Sequence, residues 1–240
     1  MVEQRSRESK KPIILYYHGS PGFFDELHFI WNQLQADYQV VAFNRCGLSK
    51  DQIFKEVPGV KCVIGYSFGC YFALKYAALH CIERVILICP YLTVSPKKGQ
   101  SVMCRIPVFS DMILKIFGNI ALDKFIKESC YPEDPCDTFV KHVDKMRNDR
   151  RLLKYSILEK EWGLESFNLE EKNALKTYSK VTVVAGDQDI IANWGRHSQF
   201  LDSIALSYEL HLIKGAGHGL PWTHSSLFEQ TVKKILLTYC

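Results

Sequence analysis

Gly65-Tyr66-Ser67-Phe68-Gly69 sets one serine between two glycines, each two positions away. Glycine allows a turn tighter than side chains permit. Between a strand and a helix, such a turn lifts the hydroxyl above a sheet and aims the free N–H groups of the helix at it. The flanks supply that context, because Lys61-Cys62-Val63-Ile64 reads as a strand and Tyr71 to His80 as a helix. A serine at neutral pH needs a base to become a nucleophile. Gly215-Ala216-Gly217-His218-Gly219 follows the last apolar run, and its glycines free a loop to carry His218 back over the sheet. His224 is the nearby rival, placed where a closing helix begins. The base in turn needs a carboxylate to fix its tautomer and stabilise its charged form. Gly186-Asp187-Gln188-Asp189 offers two. Asp189 is the expected acid, while Asp187, nearer the strand end, suits the capping of a turn. Together these residues would perform acyl transfer through Ser67, His218 and Asp189.

The tetrahedral intermediate of that reaction carries an oxyanion, and backbone N–H groups are its usual stabilisers. The N–H of Phe68, just after the serine, is one candidate. The loop His18-Gly19-Ser20-Pro21-Gly22 supplies the second, with Ser20 favoured because Pro21 has no N–H. His18 is expected to hold this loop through its ring, with Gly19 beside it. Tyr66 and Trp222, close to these motifs in sequence, are candidates for the substrate pocket.

The elements that must position these residues are short apolar runs alternating with amphipathic stretches. Strands are expected at Ile13–Tyr17, Tyr38–Phe43, Val60–Gly65, Val85–Cys89, Val181–Ala185 and Glu209–Ile213. Helices are expected at Phe24–Gln35, with Leu27, Ile30, Trp31 and Leu34 on one face, at Phe68–His80 and at Ser226–Leu237. The strand signal is lost from Thr93 to Ser179. There Met112, Ile113, Ile116, Phe117, Ile120, Phe125 and Ile126 fall at helical spacing over Asp111–Glu128, and more helices follow between Asp137 and Tyr178. The pattern predicts an α/β protein with a mostly parallel central sheet flanked by helices and right-handed crossovers. Residues 1–12 form a polar tail, 13–92 and 180–240 the core, and 93–179 an inserted helical lid over the carboxyl ends of the strands, where open α/β sheets bind ligands.

Composition narrows the function. Apolar residues make up 47% and charged residues 23% of 240, which excludes a disordered chain and allows one well-buried core. A net charge of +4, without a strong basic patch, argues against a nucleic-acid partner. No apolar run reaches the roughly 18 residues of a membrane span, and Met1–Lys11 lacks the apolar stretch of a secretory signal, so the expected location is cytoplasmic. The nine cysteines include no C-x-x-C pair. They are expected as reduced thiols, with Cys62, Cys70, Cys81 and Cys89 inside apolar strands or helices. Neither a metal nor a cofactor is expected.

In these four motifs, and in their order, the chain resembles the α/β-hydrolase superfamily, specifically its lid-bearing esterases, lipases and thioesterases. The resemblance runs from Ile13 to Tyr239. His18-Gly19 matches the family's oxyanion-loop motif, Gly65–Gly69 its nucleophile elbow, Gly186–Asp189 its acid turn and Gly217-His218 its histidine loop. There are departures. The two leading strands common in the family have no counterpart before Ile13, Asn44 stands where aspartate is frequent, Cys70 replaces a glycine and Ala192 a proline, and the Gly47–Gly59 crossover is short. The resemblance implies hydrolysis of a small-molecule ester through an acyl-enzyme, with a thioester as the alternative. Serine at the elbow argues against the dehalogenase and epoxide-hydrolase relatives, which use aspartate. The apolar lid favours apolar or lipid-like acyl chains. A non-catalytic ligand-binding member of the fold is the alternative from another class.

Overall fold

A computed structural model of the chain describes residues 11–20, 22, 26–27, 32, 34–92, 107–159 and 166–238, with backbone alone for 43, 107–117, 150 and 157–158. The β-branched and aromatic runs form six strands: β1 (Ile13–Tyr17), β2 (Gln39–Phe43), β3 (Val60–Tyr66), β4 (Arg84–Ile88), β5 (Lys180–Gly186) and β6 (Tyr208–Ile213). They pair in the order β2-β1-β3-β4-β5-β6, and every pairing is parallel. The strand boundaries shift by about a residue from those expected, as is usual where ladders begin and end.

Side chains alternate between the two faces of each strand, and two separate cores result. Leu15, Tyr17, Val63, Val85, Leu87, Val181 and Val183 face one way, and Ile14, Tyr16, Cys62, Ile64, Ile86, Ile88 and Val184 the other. Nine helices lie among the described residues. They are α1 (Lys50–Ile53), α2 (Gly69–His80), α3 (Pro107–Cys130), α4 (Asp137–Asn148), α5 (Arg150–Glu159), α6 (Leu169–Tyr178), α7 (Trp194–Ser203), α8 (Leu220–Thr223) and α9 (Ser225–Leu237). Leu175 of α6 and Leu201 of α7 cover the first face beside α2. Phe228, Val232 and Ile235 of α9 cover the second, together with Leu27 and Leu34. The helix expected over 24–35 otherwise lies outside the described residues, as do residues 1–10 and 93–106.

Helix α2 is buried from Gly69 to Ala78, so its one cation needs a partner inside the protein. Lys75 Nζ sits 2.6 Å from Glu171 Oε2 of α6 and over the Phe167 ring. Cys81 differs from its expected burial. It takes the left-handed C-cap of α2 (φ 51°), which ends the helix and turns the residue to solvent. Ile120 also leaves the stripe expected on α3, at 64% exposed, because α3 buries Leu122, Ile126 and Cys130 against Phe139, Val143 and Met146 of α4 and Leu153 of α5. This third cluster is separate from the two sheet cores.

The chain runs from β1 outward to β2, then returns to place β3 on the opposite side of β1. The carboxyl ends of β1 and β3 therefore flank a topological switch point, where loops diverge and leave a crevice.

Candidate active site

At that crevice the chain leaves β3 through Ser67, which takes φ 53°, a left-handed conformation that costs an L-residue about 1–2 kcal/mol. Neighbouring backbone holds it there. The Ser67 N–H donates to Ile88 O at 2.8 Å, and Ser67 O accepts from Cys70 and Tyr91 at 3.1 Å. The flanking glycines are required by close approach. A Cβ on Gly65 would lie 2.6 Å from Cys70 Cα, and one on Gly69 would run into the carbonyl oxygens of Tyr17 and His18. The start of α2 is thereby pressed against the loop that leaves β1.

Ser67 Oγ lies 2.9 Å from His218 Nε2, and His218 Nδ1 lies 2.8 Å from Asp189 Oδ2. His218 and Asp189 are buried, and Ser67 is 7% exposed. The second oxygen of Asp189 accepts the Ile191 and Ala192 N–H groups at 2.9 and 2.7 Å, which fixes the rotation of the carboxylate. Asp187 is exposed and accepts from Gly215 N at 2.7 Å, tying the acid turn to the histidine loop. His224 stands apart, 3.6 Å from Glu133 at the start of α9. The histidine loop also docks on the end of α3, through the Gly219 N–H to Ser129 O at 2.6 Å.

Tyr66 backs the imidazole. Its ring centroid is 5.5 Å from that of His218, and its hydroxyl donates to His218 O at 3.0 Å. Burial pushes the Tyr66 phenol well up, so it remains a donor. Trp222 packs edge-on to Tyr66 at 5.6 Å and against Phe139 of α4 at 4.8 Å, joining the sheet core to the α3–α5 cluster.

His18 Nδ1 lies 2.7 Å from Gly19 O, and its Nε2 faces the Arg45 N–H at 3.4 Å. Burial, reinforced by the Arg45 charge, drives His18 well below the usual histidine range, so it is neutral and donates through Nδ1. Ser20 is half-buried, with its Oγ 3.5 Å from Ser156 O. Among the described residues no acceptor takes the Ser20 or Phe68 backbone N–H.

Three residues that sequence reasoning missed shape this loop. Arg45, fully buried, donates to His18 O at 2.6 Å and Gly19 O at 3.1 Å, and stacks over Phe72. Its charge is met by Glu159 at the end of α5, 3.1 Å away and equally enclosed. Glu26 accepts the Gly19 N–H and the Tyr16 hydroxyl on one oxygen, and faces His142 of α4 at 3.6 Å with the other. A charged residue two positions past a strand, as Arg45 is past β2, was the one available signal.

Cys89 follows β4 in the left-handed region (φ 44°), its N–H bonded to Val184 O at 2.8 Å. Its thiol lies beside the Asp189–His218 pair, and burial pushes it well up, toward the neutral form.

No family model and no curated protein matches the chain by sequence. Solved structures do match in fold. The chain is similar to a thermophilic esterase from Thermogutta terrifontis at 16% identity and TM-score 0.67, over 95% of this chain and 90% of the esterase. It is similar to a bromoperoxidase from Bacillus anthracis at 18% identity and TM-score 0.68, over 95% and 92%. A serine hydrolase from the polyaromatic-hydrocarbon-degrading bacterium Cycloclasticus zankles aligns at 16% identity and TM-score 0.65, over 95% and 90%. With its parallel six-stranded sheet, its strand order and a serine turn at the switch point, the chain has the α/β-hydrolase fold.

Proposed function

We propose that this chain is a serine hydrolase that cleaves carboxylic esters of apolar or lipid-like acyl groups through an acyl-enzyme on Ser67. The observation that carries the reading is the unbroken relay from Ser67 Oγ through His218 to Asp189, with hydrogen-bond distances of 2.9 and 2.8 Å. Asp189 holds the Nδ1–H tautomer, which leaves Nε2 to accept the Ser67 proton as the oxygen attacks an acyl carbonyl. The Phe68 and Ser20 N–H groups receive the oxyanion, each contributing about 3 kcal/mol to the transition state. His218 then protonates the leaving alkoxide, and water repeats the sequence on the acyl-enzyme. Every proton transfer uses groups of the chain itself. Neighbours of the same fold described as an esterase and a serine hydrolase support the reaction class. Tyr66 and Trp222, set among Phe139 and the apolar faces of α3 and α4, support the apolar substrate. In this reading the segment 93–179 acts as the lid.

The test is labelling by a fluorophosphonate probe, followed by hydrolysis of a p-nitrophenyl ester series and acyl thioesters. Ser67→Ala is expected to abolish labelling and to lower turnover by about 10⁶-fold. A folded wild type that does not label would overturn the hydrolase reading in favour of a ligand-binding protein. Preference for acetate, with steep loss beyond it, would overturn the apolar acyl pocket.

A further inference from the structure

Three side chains of different donor type converge beneath the serine. Cys89 Sγ, a carboxylate oxygen of Asp189 and a ring nitrogen of His218 all lie within 4.8 Å of one another, and all three residues are buried. Of the two ring nitrogens, Nδ1 is the one beside the carboxylate, 2.8 Å from Asp189 Oδ2, while Nε2 faces Ser67. Hydrolysis employs only two of these groups. No other such group of three donors converges among the described residues.

The donor set is one thiol sulfur, one imidazole nitrogen and one carboxylate oxygen, the combination that suits zinc and similar borderline-soft divalent ions. The supporting shell of such a site is already in place. Asp189 Oδ1 is held by the Ile191 and Ala192 N–H groups, which fix the carboxylate with Oδ2 directed at the cluster. The Tyr66 ring and hydroxyl hold the imidazole and its backbone. Partners of this kind orient metal ligands. With bonds of about 2.0–2.3 Å, a tetrahedral ion needs its ligands about 3.4–3.5 Å apart. The His218–Asp189 contact would open by about 0.6 Å, and the sulfur would draw in by up to about 1.3 Å.

We propose that Cys89, Asp189 and His218 form a binding site for one zinc-type divalent cation, and that filling it switches off hydrolysis. Binding releases the Cys89 thiol proton, and the sulfur takes the metal. The Nδ1 lone pair also goes to the metal, so the proton of the neutral ring moves to Nε2. That nitrogen then donates to Ser67 and cannot accept its proton. A wrong imidazole tautomer costs a serine triad about 10⁴ in rate. The binding half of the inference stands on geometry alone, and the inhibitory half rests on the hydrolase reading.

The experiment uses the full chain with Co²⁺ and Zn²⁺. Titration with CoCl₂ is expected to raise a near-ultraviolet thiolate-to-cobalt band in wild type that Cys89→Ser and Cys89→Ala both lose. Zn²⁺ is expected to suppress fluorophosphonate labelling of wild type, with recovery on chelation. Both Cys89 variants should label at the wild-type rate with or without the ion, which also reports that they fold. A band that is absent from wild type, or that survives in the Cys89 variants, overturns the site. A Cys89-dependent band with labelling unchanged by Zn²⁺ overturns the inhibitory role. If metal-free wild type does not label, the hydrolase reading fails, and the cobalt band alone decides the site.

Discussion

Asp189→Asn tests the relay at the atom where its logic is most exposed. The substitution keeps the volume and hydrogen-bonding shape, and the surroundings decide which way the amide points. Two backbone N–H groups, from Ile191 and Ala192, converge on one oxygen of Asp189 at 2.9 and 2.7 Å. An NH₂ group cannot replace that oxygen without setting donor against donor in a buried site, at a cost of about 1–3 kcal/mol per lost bond. The amide oxygen is therefore held there, and the NH₂ takes the place of Oδ2, facing His218 Nδ1. Nδ1 must now accept, so the imidazole proton sits on Nε2, aimed at Ser67. The base has lost its lone pair while every heavy atom stays in place. The expected loss is about 10⁴ in kcat, or roughly 5.5 kcal/mol of barrier. The assay compares the second-order rate of fluorophosphonate labelling and the kcat for a p-nitrophenyl ester at neutral pH, with circular dichroism to establish an intact fold. Asp189→Asn retaining activity within about tenfold of wild type would refute the tautomer argument.

Gly69→Ala drives a Cβ into the Tyr17 and His18 carbonyls and should cost at least about 3 kcal/mol, whereas Gly215→Ala, at φ 77° in open space, should cost only about 1–2 kcal/mol. Equal thermal midpoints for the two would contradict the packing described for the elbow. Arg45→Met leaves Glu159 buried without its cation and should lower urea stability by about 3–5 kcal/mol, with Glu159→Gln milder because an acceptor remains. A loss in Arg45→Met no larger than that of an exposed arginine substitution would dismiss the pair as a structural anchor. His197 accepts the Leu92 N–H at 3.2 Å, and burial lowers its pKa to about 4. Its folded pKa is thus below its unfolded value, so its contribution to stability is full above about pH 6.5 and is lost as pH falls toward 4. His197→Asn keeps an acceptor without the titration. It should reduce the protons taken up on unfolding near pH 5 by about one, and an unchanged slope of stability against pH would reject this assignment.

The sheet and the candidate site residues were legible in the sequence for one reason. Both depend on local rules that leave residue-level marks. Strands buried on two faces need unbroken β-prone runs, and Ile13–Tyr17 has one. A turn as tight as the one at Ser67 needs small residues at fixed offsets, and Gly65 and Gly69 are those residues. Helix α7 left no comparable mark. It buries only His197 and Leu201, too few to show periodicity between Trp194 and Ser203. Arg45–Glu159 and Tyr16–Glu26–Gly19 were illegible for a different reason. Their partners are separated by 114 and by 7 to 10 residues, and nothing in a charged residue's identity tells whether it is solvated or enclosed. Asp187 and Asp189 lie in the same turn, and position along it favoured Asp189 as the acid; the contacts that separate them, Asp187 with Gly215 and Asp189 with His218, Ile191 and Ala192, leave no mark in the sequence.

Those enclosed contacts bear on how α3–α5, part of the lid in the proposed reading, could move. Glu159 at the end of α5 is bound to Arg45, which itself holds the His18 and Gly19 carbonyls. Ser129 at the end of α3 accepts the Gly219 N–H beside the base, and His142 of α4 faces the carboxylate that holds the Gly19 N–H. Each of the three helices is thus joined to a loop that the proposed reaction needs in place. Swinging α3–α5 away as one body would separate the Arg45–Glu159 pair, but water would then solvate both charges, so the pair by itself sets no large barrier to that motion. It would also break the Gly219–Ser129 hydrogen bond and the Glu26–His142 contact, while Asp189 and Tyr66 still hold His218 and Glu26 still holds the Gly19 N–H. In the proposed reaction, a movement of α3–α5 would therefore reach the oxyanion and histidine loops through these contacts without dismantling either.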